Sequence, residues 1–146
     1  MIEALIRTIH LIGALAVAIS VLLIVLASRR TLARDDLTGM RRIYLALLVA
    51  AALTATAGTA LWLWVGKPAA FFSNNPVFHA KLGLFGLLLL MLAWPAWYFY
   101  RLDTRDTAAA STVAVSALVL RLQKATLPVL LLIPILAYLM ARGIGY

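Results

Sequence analysis

Asn75-Pro76-Val77-Phe78-His79-Ala80-Lys81-Leu82-Gly83-Leu84-Phe85-Gly86 opens a long apolar run with a histidine and a lysine two residues apart. Asn75 suits a helix N-cap and Pro76 the first helical position, so a helix is predicted to start here and to run to about Tyr100. A helix of that length crosses a hydrocarbon layer about 30 Å thick. A lysine in hydrocarbon costs roughly 2.5 to 3.5 kcal/mol on insertion scales, and ionisable residues at such depth are functional candidates. The stretch therefore reads as the start of a membrane span that carries chemistry.

At about 100° per residue, His79, Gly83 and Gly86 share one helix face, and Lys81 points nearly the opposite way. A histidine above two glycines has an open, flat shelf beside it, the space that a planar macrocycle such as haem needs next to an imidazole ligand. The same pattern also serves close helix packing, with the histidine bonded across the contact.

Composition agrees with a membrane setting. Of 146 residues, 65% are hydrophobic and 12% charged, and the mean hydropathy is +1.03; these values lie outside the soluble range. The chain is expected to form one domain over residues 1–146, an all-α integral membrane four-helix bundle. The net charge of +8 falls in short clusters between apolar runs, which argues for cytoplasmic loops and against nucleic acid. With no cysteine, disulfides, Fe–S clusters and thiolate chemistry are excluded, and any metal or haem must use other ligands.

Four spans are expected, at about 5–27, 43–65, 76–100 and 117–141. The first lacks a small-residue cleavage signature, and Arg29 and Arg30 follow its apolar run, so it is predicted to be retained. His10 lies two turns into it, with Gly13 and Ala14 on its own face, a second histidine beside small residues. Residues 28–42 read as a short charged turn. In the second span Ala50, Thr54 and Gly58 form a small-residue row for helix packing, extended by Trp62. Residues 66–75 read as a re-entrant or interfacial loop. Pro95 is placed to kink the third span, where Trp94, Trp97, Tyr98 and Tyr100 form an aromatic belt. Arg101, Asp103, Arg105 and Asp106 make a second charged connection. Ser111 to Lys124 is expected to extend the last helix, which Pro128 and Pro134 distort.

The connections after spans one and three hold nine Lys and Arg (Arg29, Arg30, Arg34, Arg41, Arg42, Arg101, Arg105, Arg121, Lys124). The other side holds four (Arg7, Lys67, Lys81, Arg142). The positive-inside rule then puts both termini outside, periplasmic in a bacterial inner membrane. In that orientation His10 and His79 fall at comparable depth in the outer leaflet, and both are candidate haem or metal ligands. Gly13, Gly83 and Gly86 are candidate shelf positions. Arg7 and Lys67 are placed to pair with haem propionates, or else snorkel at the interface. Lys81 is a candidate second axial ligand, propionate partner or proton relay, and so the one candidate catalytic residue.

Lys67-Pro68, Asn75-Pro76-x-Phe78-His79-x-Lys81-Leu82 and Met140-Ala141-Arg142-Gly143 resemble the DUF2214 family of small bacterial membrane proteins over most of the chain. His10 with His79-Ala80-Lys81-Leu82 is more distantly similar to the HemJ-type protoporphyrinogen oxidases and to CopD-like copper-resistance membrane proteins. In the HemJ type such a pair of elements is associated with haem b and porphyrinogen oxidation. The resemblance implies roles for His10, His79 and Lys81, and does not extend to the connections.

Three functions compete at this stage. One is a haem-b-binding redox protein, either an electron carrier or a haem-dependent oxidoreductase, that exchanges electrons with a membrane quinone or another haem protein. The second is a CopD-like copper-handling protein that uses the same histidines, although the methionine-rich site expected for soft Cu(I) is absent from the sequence. The third is a cofactor-free assembly subunit. The lipid bilayer is the expected partner, and homo-oligomers are compatible with the packing rows.

Overall fold

The computed structural model describes residues 1–104 and 112–145. In chain order its elements are α1 (Ile2–Ala27), β1 (Thr31–Ala33), α2 (Arg34–Leu63), α3 (Ala69–Ser73), α4 (Pro76–Thr104), β2 (Thr112–Ala114) and α5 (Ala117–Ala141). Among the described residues, α1, α2, α4 and α5 are long and apolar enough to cross a membrane. With no water in hydrocarbon to satisfy backbone amides, a helix that bonds its own backbone is the conformation such runs can adopt.

The four long helices pack in a ring, α1 on α2, α2 on α4, α4 on α5 and α5 on α1, so α1 faces α4 across a diagonal. On the other diagonal, Gln123 Nε2 of α5 donates to Tyr44 OH of α2 at 2.8 Å. At the start of α4 the Asn75 side chain accepts from Val77 N at 2.8 Å, the N-cap contact read from the sequence. Helices α4 and α5 run through Pro95, Pro128 and Pro134 without a break in their assignment.

Four features differ from the expectation, the first being that the segment read as a re-entrant or interfacial loop contains the short helix α3. Helix α2 starts at Arg34, well inside the segment read as a turn, because Asp35 and Asp36 occupy its first turn, where the helix dipole favours negative charge. The remaining connection is not a bare turn. Its Thr31–Ala33 pairs antiparallel with Thr112–Ala114, Leu32 opposite Val113, and Leu32 is buried. The last helix takes up the amphipathic stretch only from Ala117; Arg105, Asp106 and Ser111 lie outside the described residues.

The bundle thus has two unlike ends. At the ladder end, Tyr98 OH donates to Ala114 O at 3.3 Å and accepts from Ser116 N at 3.0 Å. Ile24, Tyr44, Phe99 and Val119 fill the interior there, with Tyr44 stacked on Phe99 at 5.8 Å. Toward the terminus end filling thins out. In α1 no residue before Gly13 is buried, and in α5 none after Thr126.

Candidate functional site

His10 projects from α1 onto α2. Its Nδ1 lies 2.9 Å from the carbonyl of Thr54. A carbonyl can only accept, so Nδ1 is the donor and, in the neutral ring, Nε2 is the unprotonated nitrogen. Among the described residues Nε2 has no hydrogen-bond partner. The ring is seated on Gly58, where a methyl group would stand 2.9 Å from Cε1. One turn along α1, Gly13 is closed off by α2, since a Cβ there would meet Thr54 Oγ1 at 2.5 Å and Thr54 N at 3.2 Å. The Ala50-Thr54-Gly58 row of α2 therefore does two jobs: it brings the helices together and it orients the imidazole.

His79 faces away from the bundle. It is exposed, and its Nε2 lies 2.8 Å from the carbonyl of Ser73, the last residue of α3, where carbonyls lack intrahelical partners. Trp62 Nε1 donates to Ser73 Oγ at 3.0 Å, so Trp62 and His79 together hold the α3 segment against the bundle. Gly83 and Gly86 lie on the same exposed face of α4, and nothing would come within 4 Å of a Cβ at either.

Lys81 lies on the opposite stripe of α4, the one that carries Phe78, Phe85, Leu88 and Leu92 into the bundle. It is half-buried, with Nζ 5.5 Å from the Phe78 ring centroid. His10 of α1 and Lys81 of α4 are thus both half-buried, on helices that face each other across the diagonal, while His79 is exposed on the other face of α4.

The other candidate cations stand at the mouth. Exposed Arg7 pairs with Glu3 at 2.6 Å. Gly66 turns the chain at φ +93° with Glu3 against it, Oε1 lying 3.2 Å from where a Cβ would be, and exposed Lys67 follows, its Nζ 3.8 Å from the Phe71 ring centroid. Among the described residues no group of three or more His, Asp or Glu is arranged to hold a metal ion. Thr54 and Gly58, as the partners of His10, were not identified from the sequence. Both stand in the small-residue row, but pairing that row with His10 needs the antiparallel register of α1 on α2.

A family model described as a predicted membrane protein (DUF2214) matches residues 2–145. No curated protein and no solved structure matches the chain.

Proposed function

The chain belongs to the DUF2214 family of membrane proteins, and from that premise we propose that it is a haem-b-binding redox protein of the bacterial inner membrane, with both termini periplasmic. One observation carries the reading: His10 is held in a single tautomer by the Thr54 carbonyl, with Nε2 left without a protein partner. A histidine that ligates iron is ordinarily fixed in this way, its other nitrogen donating to a carbonyl. The donor set fits haem better than a bare ion. A porphyrin brings four nitrogens of its own and asks the protein for one or two further ligands, whereas a bare copper ion needs more protein donors, and no group of three or more His, Asp or Glu is arranged for it among the described residues.

In this reading His10 Nε2 would hold the haem iron, with Gly58 as the seat that keeps its ring in place. Lys81, half-buried on the stripe of α4 that enters the bundle, would supply an amine as a further iron ligand or for proton transfer. Lys67 and Arg7 form a cationic rim for carboxylates, Lys67 the more readily because Arg7 is already paired. Haem, when bound, supplies one-electron transfer, with a membrane quinone or another haem protein as partner. His79 holds the α3 segment.

Protein purified from a haem-replete host is expected to show a Soret band and a pyridine haemochrome of b type. Lys81→Ala is expected to keep the haem and to shift its spectrum. Absence of both signals from the unaltered protein would overturn the reading, and stoichiometric copper without haem would favour the copper-handling alternative.

A further inference from the structure

A groove of about 580 Å³ runs along the outer side of the α1/α2 pair, remote in character from the His10 site. Its floor is made of small residues, Gly13 and Ala16 of α1 with Ala46 and Ala50 of α2, and larger apolar side chains form its walls. One charged residue lines it, Arg42, at its ladder-end extremity. Arg42 is exposed and, among the described residues, has no partner.

From the groove's length and this single charge, we infer that it holds one acyl chain of an anionic phospholipid of the ladder-side leaflet, with the headgroup phosphate on Arg42. The α2 side of the groove runs from Arg42 to Leu53, about 16 Å at 1.5 Å per residue, close to half of a hydrocarbon core about 30 Å thick. The slot is therefore one leaflet deep. Its cation is at the membrane boundary, where the phosphate of a lipid in that leaflet sits, and a guanidinium matches phosphate geometry with two parallel hydrogen bonds.

The test is native mass spectrometry of the purified full-length protein, with added phosphatidylglycerol or phosphatidylcholine of identical acyl chains. The unaltered protein is expected to retain phosphatidylglycerol about fivefold better, the worth of one interfacial cation. Arg42→Ala is expected to abolish that preference, and Arg121→Ala, an exposed cation at the same end but outside the groove, to leave it intact. Ala46→Phe, which fills the groove from an exposed position, is expected to reduce retention of both lipids. Equal retention of the two lipids by the unaltered protein, an equal loss in Arg42→Ala and Arg121→Ala, or displacement of lipid by a second protein copy would each overturn the inference.

Discussion

The ladder end and the terminus end are built from the same four helices but filled to different extents. At the ladder end Phe99 is fully buried between Tyr44 and Tyr98, and the Thr31–Ala33 and Thr112–Ala114 pair closes the bundle. At the terminus end α5 contributes no buried side chain after Thr126, and α1 and α4 carry a half-buried histidine and a half-buried lysine there. Dense packing holds one geometry, while less filled regions are the ones that open and admit ligands. The difference puts the dense packing at one end of the molecule and the proposed His10 site at the other.

Core deletions should expose this contrast most strongly. Phe99→Ala is expected to cost about 3 to 5 kcal/mol, the usual loss for a buried aromatic ring. Leu136→Ala, half-buried near the other end of α5, is expected to cost less than about 1 kcal/mol, because lipid can fill the space left behind. Denaturant titration of the protein in micelles measures both. Equal losses would mean that the two ends are equally packed.

A smaller effect separates glycines that are alike in sequence. Gly13→Ala should cost about 1 to 3 kcal/mol, since the new methyl group meets both the hydroxyl and the backbone of Thr54. Gly83→Ala and Gly86→Ala meet nothing and should gain up to about 1 kcal/mol from helix propensity, with haem content unchanged. Loss of haem in either of the latter would return the cofactor to the His79 face.

Much of the fold was legible in the sequence because a membrane span announces itself by length and hydrophobicity alone. Asn75 and Pro76 marked the start of α4 correctly, and Ala50, Thr54 and Gly58 marked the face of α2 that packs on α1. The ladder was not legible. Thr31-Leu32-Ala33 and Thr112-Val113-Ala114 are three residues each, too short for any alternation to stand out. Nor was the inward face of α4 legible. In a soluble helix the apolar stripe identifies the core, but around Lys81 and His79 both faces are apolar, because lipid and core select the same residues. Periodicity placed the two side chains on opposite faces without saying which one entered the bundle.

The central claim is that the working site is His10 at the thinly filled end, and haem content per protein in two single variants tests it most directly. By pyridine haemochrome, His10→Ala is expected to lose most of the haem, and His79→Ala to keep it while loosening the α3 segment. Full occupancy in His10→Ala, or loss confined to His79→Ala, would contradict the account.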